Sequence, residues 1–306
     1  MLKKSPILLA AAGTAAMMLA CSACSDSTNK ADAVKGYAEI VEASYADSVS
    51  TAETLNAALK ALVATPSEAN LQAAKDAWLA SREPYLQTEV YRFYEGPIDN
   101  ETDGPEGLLN AWPMDENYVD YTSDDPTAGL INDTAFEITE ANLEGANEVG
   151  GEKNIATGFH TIEFLLWGQD MSETTAGTRP YTDYVTDGTG TAANQDRRGL
   201  FLTTCGDLLV KHLQGLHTQW AADGTYRASF EAAADDESIE KILTGMIILA
   251  GFETGGERLQ AALDSGDRED EHSCFSDNTH RDIVTNAIGI RNVLVTMSMK
   301  SYPPTT

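Results

Sequence analysis

One short segment of the sequence carries an imidazole and a carboxylate at a spacing that lets them act together. It runs from Gly158 to Gly168, reads GFHTIEFLLWG, and contains His160 and Glu163 as its ionisable residues. Residues three positions apart lie on neighbouring turns of one helix face, so the two side chains can converge on a single ion. Imidazole and carboxylate together form a ligand set suited to iron or zinc.

The residues around this pair are apolar on nearly every side of the predicted helix, namely Phe159, Ile162, Phe164, Leu165, Leu166 and Trp167. A helix of that kind belongs in a protein interior, and a buried carboxylate needs a metal, a cation or a proton to compensate it. Gly158 has no side chain, which allows another backbone or a ligand to come close to His160. A purely structural hydrogen bond between the imidazole and the carboxylate is the alternative, and spacing alone leaves both open.

A second candidate group lies along one face of an earlier helix. Trp78, Arg82, Tyr85 and Glu89 follow each other at spacings of four, three and four residues, so they form a stripe. Glu89 could supply a further carboxylate ligand, and Arg82 could hold it or an anionic ligand. The alternative is an amphipathic face with an internal Arg/Glu pair.

Residues 269–280 form a third candidate group, with His272, His280, the thiol of Cys274 and several acidic residues. They could bind a metal, although the run also fits an acidic loop that ends in a helix cap. The sequence has no His-Glu-x-x-His helix, no Gly-x-Ser-x-Gly elbow and no Walker-type phosphate loop. A conventional zinc peptidase or serine hydrolase is therefore unsupported.

The elements that must position these residues are helices separated by loops rich in Gly, Pro and Asp. Alternating β-branched runs are scarce, so the sequence predicts an all-α fold. The segments 95–129 and 168–194 are predicted to be irregular, and loops that long tend to be functional. Helices are predicted over residues 31–64, 67–93, 134–149, 155–167, 195–222, 238–263 and 278–299.

The amino terminus has the pattern of a lipoprotein signal peptide over residues 1–20. Two lysines precede an apolar stretch that is too short to span a membrane, and this stretch ends at Cys21. Cys21 is the predicted lipidation site, with Cys24 as the alternative, and residues 21–30 form a polar tether. We therefore predict an exported protein that is lipid-anchored on the periplasmic side of the outer membrane or at the cell surface. Cleavage without lipidation is the alternative.

The charge of the chain limits the classes of partner. The formal net charge of −28 becomes −30 when the leader, with its two lysines and no acidic residue, is removed. Such an acidic body repels phosphate backbones, so nucleic acid is not an expected partner. Outside the leader region, Cys205 and Cys274 remain, and an oxidising compartment would permit them to form a disulfide.

With the segment Gly158-Phe159-His160-Thr161-Ile162-Glu163, the sequence resembles the imelysin family, whose motif is G-x-H-x-x-E. The resemblance covers roughly residues 33–295 and extends to Ala77-Trp78 with Arg82-Glu83-Pro84-Tyr85, to Gly96-Pro97-Ile98-Asp99, to Trp112-Pro113 with Asp115, and to residues 271–280. It implies one helical domain over residues 31–306, built from two bundle-like halves with the motif near their junction. It also implies export and a role in iron acquisition.

The resemblance implies a set of site residues. His160 and Glu163 are expected to hold iron or another divalent metal, and Glu89 carries over more weakly. Arg82, Tyr85, Asp99, His272 and His280 are expected near that site.

The leading hypothesis is a lipid-tethered protein that binds a metal ion or an iron-bearing ligand and works with proteins of an uptake system. A metal-dependent peptidase and a non-catalytic surface module are the alternatives. Family members usually continue beyond the last helix predicted here. The second bundle is thus expected to be incomplete, with apolar residues 247–249 or 293–295 uncovered.

Overall fold

The structure is a computed structural model that describes residues 8–301, and it describes the side chains of residues 30–297 apart from Asp235. The first residues of the predicted leader and the side chains of Cys21 and Cys24 lie outside this part. Among the helices of the described residues, none is long and apolar enough to cross a membrane.

The prediction of an all-α fold is confirmed, because the described residues form helices and loops without a β-strand. A π-helix spans Leu249–Gln260, and 3₁₀-helices span Thr88–Tyr91, Tyr181–Tyr184 and Arg268–Asp270. The α-helices are α1 Leu8–Ala64, α2 Glu68–Gln87, α3 Glu106–Leu109, α4 Glu116–Val119, α5 Glu140–Ala146, α6 Gly158–Trp167, α7 Gln195–Trp220, α8 Thr225–Ala232, α9 Asp235–Ile248, α10 Ala261–Ser265 and α11 Thr279–Ser301.

The long helix α1 is the centre of the packing. It contacts α2, α7 and α11 along its length, and α8 and α9 also pack against it. Its buried residues, such as Tyr37, Tyr45 and Leu59, belong to one hydrophobic core that also contains residues of α2, α6 and α7. The division into two bundle-like halves stays a prediction.

Two helices place the candidate site. Ser67 caps α2, because its hydroxyl accepts a hydrogen bond from the backbone N–H of Asn70 at 3.2 Å. The helix continues through Pro84 to Gln87, and its last turn then tightens into a 3₁₀-helix. Helix α6 lies beside α2, and both cross the buried core.

Buried ion pairs hold the long loops in place. Asp120, in the first irregular segment, accepts hydrogen bonds from Arg179 at 2.7 Å and from Nε of Arg198 at 2.6 Å. Arg198 belongs to α7 and Arg179 to the second irregular segment. Charge-assisted bonds of this kind connect segments that have few backbone hydrogen bonds of their own.

The predicted uncovering of apolar residues near the carboxyl terminus is found at some positions and not at others. Ile247, Leu294 and Val295 are 68%, 53% and 47% exposed. Leu249 and Val293 are fully buried, which corrects the prediction for them. The reason is helical periodicity, since consecutive helix residues point in different directions.

Candidate functional site

His160 and Glu163 are buried side by side on α6, as their spacing predicts. Nδ1 of His160 lies 3.0 Å from Oε2 of Glu163, and both side chains are 0% exposed. The other oxygen of Glu163 accepts hydrogen bonds from the backbone N–H of Ser276 at 3.0 Å and from its hydroxyl at 2.6 Å. In the described part of the chain, Nε2 of His160 has no hydrogen-bond partner. One ring nitrogen is thus fixed and the other is available.

The first turn of α6 is held by close contacts with α2 and α3. Gly158 has φ +86°, and a Cβ atom added there would lie 2.6 Å from the carbonyl oxygen of Leu109. The indole N–H of Trp78 donates to the carbonyl of Phe159 at 2.9 Å. The sequence-based prediction that Gly158 permits a close backbone approach beside His160 agrees with this geometry.

Burial decides the protonation of the pair. Desolvation raises the pKa of Glu163 to about 8, although its hydrogen bonds with Ser276 act in the opposite direction. Desolvation and the nearby His272 lower the pKa of His160 well below its usual value. Near pH 7 the contact is therefore a hydrogen bond between neutral groups, in which the Glu163 carboxyl donates to Nδ1. When Glu163 ionises, Nδ1 carries the proton and Nε2 presents a lone pair.

A second imidazole lies against the first. The rings of His160 and His272 have centroids 4.7 Å apart, and the ring of Trp112 lies 4.8 Å from that of His160. Burial lowers the pKa of His272 well below its usual value, so this imidazole is neutral. Its Nδ1 donates to Oδ2 of Asp282 over 2.7 Å, and its Nε2 lies 3.5 Å from the amide nitrogen of Asn110.

Asp282 and Arg82 support this second imidazole. Oδ2 of Asp282 also accepts hydrogen bonds from the hydroxyl of Ser273 at 2.6 Å and from Arg82 at 3.2 Å. Arg82 donates to the side-chain oxygen of Asn110 at 2.6 Å, and its guanidinium lies 4.9 Å from the ring centroid of Phe159. The structure thus places Arg82 beside the site, where Nη1 and Nη2 are used by protein groups and Nε has no hydrogen-bond partner among the described residues.

A cavity of about 490 Å³ borders the imidazole of His272, and His160 lies behind its wall. Trp112 and His272, whose rings contact His160, form part of its wall. A volume of this size is typical of sites for small ligands. Besides His272, its ionisable wall residues are two arginines, Arg92 and Arg258, and six carboxylates, Glu106, Glu148, Glu152, Glu253, Glu257 and Asp270.

Glu89 is paired with guanidiniums through one oxygen, while its Oε1 has no hydrogen-bond partner among the described residues, and its role as a metal ligand stays a prediction. Its Oε2 accepts hydrogen bonds from Arg92 at 2.7 Å and from Arg258 at 2.6 Å. Burial opposes its ionisation, but the two guanidiniums outweigh burial and lower the pKa of Glu89 to about 2. Its charge is thus compensated by protein groups, so no metal is needed to explain its burial.

Tyr85, Asp99 and His280, the other predicted neighbours of the site, lie in three different environments. The ring of Tyr85 packs 4.7 Å from that of Phe159, next to the motif. Asp99 accepts hydrogen bonds from two backbone N–H groups of its own turn, which makes it a turn-forming residue. His280 is exposed, and its ring nitrogen contacts the carbonyl of Asp277 at 3.2 Å. Asp99 and His280 thus make contacts within their own turns, and the expectation that they lie near the site stays a prediction.

The predicted disulfide is not found. Cys205 and Cys274 are both free, buried thiols, and Sγ of Cys205 lies 3.5 Å from the carbonyl oxygen of Ala156. Burial raises the pKa of both thiols, so they behave as small apolar side chains. The prediction followed from the compartment alone, which permits a bond without bringing two residues together.

Several residues of the site had no sequence signal. Asp282 lies in the first turn of α11, where a carboxylate is ordinarily explained by its interaction with the helix dipole. Asn110 and Ser276 lie in loops among other polar residues. Arg258 lies in the glycine-rich stretch of the π-helix. These glycines were the one available hint of an irregular helix, and π-helices occur frequently at functional sites.

These features define an all-helical protein with a buried His/Glu pair beside a small-ligand cavity. A family model described as Imelysin matches residues 41–302, so the chain belongs to the imelysin family. The resemblance inferred from the G-x-H-x-x-E motif is thereby confirmed.

Two similar proteins are named for iron regulation. The chain is 27% identical to iron-regulated protein A of Synechococcus elongatus over 303 residues, which cover 95% of this chain and 71% of that protein. It has the fold of the crystal structure of an iron-regulated protein A precursor from Parabacteroides distasonis, with a TM-score of 0.62 and 18% identity. That match covers 87% of this chain and 73% of the other.

Proposed function

We propose that this protein is exported and lipid-anchored, and that it binds iron or another divalent metal, or an iron-bearing ligand, as part of iron uptake. The observation that carries the proposal is Nε2 of His160, which is unpartnered although the residue is only 1% exposed. Histidines that bind metals usually donate their second ring nitrogen to a carboxylate or carbonyl, as His160 can donate to ionised Glu163. The two similar proteins are named for iron regulation, which supports iron as the metal.

The site offers the metal one ligand from the protein, His160, rather than a complete coordination sphere. Within the part of the chain with described side chains, no group of three or more His, Cys, Asp and Glu residues is arranged to hold a metal ion. Both oxygens of Glu163 are engaged, by His160 and by Ser276. We therefore propose that Glu163 orients the imidazole of His160. The remaining coordination positions of the metal are filled by water or by ligands that arrive with the metal.

The peptidase alternative has less support from the same contacts. A carboxylate that activates a metal-bound water must have an oxygen within reach of that water. Glu163 uses its oxygens within the protein, and the sequence lacks a recognised metallopeptidase motif.

The metal-binding part of the proposal is tested by isothermal titration of the purified protein with Co²⁺ and Fe²⁺. We expect one site, and we expect the double variant His160→Ala with Glu163→Ala to lose it. His280→Ala is the matched control, because this imidazole is exposed and its ring nitrogen contacts the carbonyl of Asp277 rather than His160 or Glu163. Equal binding by the double variant would overturn the assignment of the site.

The anchoring part is tested separately by mass spectrometry of the protein from membranes. We expect a diacylglycerol adduct on Cys21, and we expect Cys21→Ala to release the protein into the soluble fraction. Cys24→Ala should leave it membrane-bound, and a soluble, unmodified parent protein would contradict the anchor.

A further inference from the structure

Two arginines in the wall of the cavity beside His272 each have a donor nitrogen without a partner. Arg92 and Arg258 line this cavity, and Nε of each is buried and has no hydrogen-bond partner among the described residues. Arg258 is 3% exposed, and 12% of the Arg92 side chain is exposed. A buried donor without an acceptor is unfavourable, so a ligand that brings acceptor oxygens would stabilise this wall.

The charge of both guanidiniums is already compensated by the protein. Arg92 forms ion pairs with Glu89 at 2.7 Å and with Glu106 at 3.0 Å. Nη2 of Arg258 lies 2.6 Å from Glu89 and 2.9 Å from Glu253. Two guanidiniums thus face three carboxylates, so this part of the wall has no surplus positive charge with which to hold an anion.

The rest of the wall offers acceptors and an aromatic surface. The carboxylates of the wall that form no ion pair with a described residue are Glu148, Glu152, Glu257 and Asp270. An ionised carboxylate accepts hydrogen bonds and cannot donate them. The indole of Trp112 is half-buried and also lines the cavity, where it provides an apolar surface.

These donors and acceptors distinguish three classes of ligand. A cation without acceptor oxygens would pair with the carboxylates and leave both Nε donors unsatisfied. An anion would accept from the Nε donors, but it would add negative charge to a wall with more carboxylates than guanidiniums. An uncharged group with a hydroxyl accepts from one side and donates to the other, so it satisfies both kinds of wall group.

We infer that the cavity binds an uncharged organic ligand with hydroxyl groups, whose oxygens accept hydrogen bonds from Nε of Arg92 and Nε of Arg258 and whose hydroxyls donate to the wall carboxylates. The inference rests on the proposed function for its connection to iron, and it names the organic part of an iron-bearing ligand as uncharged. The volume of about 490 Å³ is suited to a small molecule of this kind. Hydroxamic acids and sugars share this chemistry.

The test is isothermal titration of the purified protein, without added metal and near neutral pH. Three probes share a phenyl ring and differ in charge: benzohydroxamic acid is uncharged, benzoate is an anion and benzylammonium is a cation. Glucose is a second uncharged probe, which separates a sugar site from a hydroxamate site. We expect at least one uncharged probe to bind about tenfold or more tightly than either ion, because it satisfies the buried donors without adding charge.

Two variants connect this binding to the cavity. Ala261 is an exposed residue of the cavity wall, so Ala261→Phe should occupy the space and abolish binding, whereas Ala57→Phe at an exposed position of α1 should not. Arg258→Lys keeps the charge but removes Nε, and it should weaken binding by about tenfold. Arg227→Lys is its control, because Arg227 also pairs with two glutamates and does not line the cavity.

Binding of benzoate or benzylammonium as tight as that of the better uncharged probe would overturn the inference, as would unchanged binding in Ala261→Phe. A protein that binds Co²⁺ and neither uncharged probe would overturn the inference and leave the proposed function standing. A protein that binds an uncharged probe and fails to bind Co²⁺ and Fe²⁺ would instead overturn the proposed function and leave the ligand class of the cavity standing.

Discussion

His160 differs from most buried histidines in leaving one nitrogen without a hydrogen bond. Buried polar side-chain atoms are nearly always paired, because an unpaired one loses its interaction with water and gains nothing in return. Here Glu163 satisfies Nδ1, while aromatic rings rather than polar groups surround the rest of the imidazole. A structural hydrogen bond between Glu163 and His160 explains the first nitrogen and leaves Nε2 unexplained.

Glu163→Gln tests whether the carboxylate sets the protonation of this imidazole. The amide oxygen can accept the hydrogen bonds of Ser276, which directs the amide N–H toward Nδ1 and leaves the ring proton on Nε2. We expect metal affinity to fall by about 10–100-fold, as for other residues that orient a ligand. The melting temperature should change little, and nitrogen NMR shifts should report a proton on Nε2.

An unchanged affinity in Glu163→Gln would show that the carboxylate has no part in orienting the ligand. A large loss of stability would instead indicate that the hydrogen bond serves mainly to hold the fold.

At the scale of the elements, the start of α6 depends on a glycine. An L-residue at φ +86° costs roughly 1–3 kcal/mol, and the added Cβ atom would also meet the carbonyl of Leu109 at 2.6 Å. We expect Gly158→Ala to lower the free energy of unfolding by more than about 2 kcal/mol, measured by urea denaturation. Gly215→Ala in α7 is the control, since no atom lies within 4 Å of its added Cβ, and it should stabilise by roughly 0.5–1 kcal/mol. Equal effects of the two substitutions would show that α6 does not need Gly158.

The short helix α4 carries a pH-sensitive carboxylate. Burial raises the pKa of Glu116 to about 7, although a hydrogen bond from Gln169 lowers it in part. In the unfolded chain this group ionises near pH 4.5, so between pH 4.5 and 7 the unfolded state holds fewer protons than the folded one. Stability must therefore fall as pH rises through this window.

The melting temperature of Glu116→Gln minus that of the unsubstituted protein should accordingly grow from pH 4.5 to pH 7 and level off above it. Thermal denaturation of both proteins across this range provides the measurement. A difference that does not vary with pH would mean that Glu116 keeps its ordinary pKa in the fold.

The helices themselves were largely predictable, because their signals are local. The prediction for residues 195–222 matches α7 within two residues, and the predicted segment 278–299 matches α11 similarly. The predicted helix 238–263 is instead divided into α9, a π-helix and α10. The spacing of apolar residues in this segment fits an ordinary α-helix. The wider turn of the π-helix places Glu253 and Arg258 at the cavity, and the formation of that turn depends on tertiary contacts.

The candidate site was predictable only where its residues are near each other in sequence. The pair of His160 and Glu163 follows from a spacing of three residues on one helix. His272 packs against His160 although more than a hundred residues separate the two in the sequence. Asp282, on another helix, holds His272 in place through a hydrogen bond. No local pattern encodes such a distance, which is also why a disulfide was predicted between two thiols that are free, and why the pairing of Glu89 with Arg258 was not foreseen.

At the scale of the whole molecule, the two cysteines provide a simple check on the fold. Both thiols are buried and unpaired, so a reductant should leave the melting temperature unchanged. Alkylation should label Cys205 and Cys274 after denaturation and neither of them in the native state, as read by mass spectrometry. A disulfide between them would contradict the packing of α7 against α6.

The central claim is that Nε2 of His160 binds the metal, and X-ray absorption at the zinc edge measures it most directly. Zn²⁺ bound to the purified protein should show an imidazole nitrogen at about 2.0–2.1 Å together with oxygen ligands. The imidazole signal should disappear in His160→Ala and persist in His280→Ala. A zinc spectrum without imidazole, or one that His160→Ala leaves unchanged, would contradict the account.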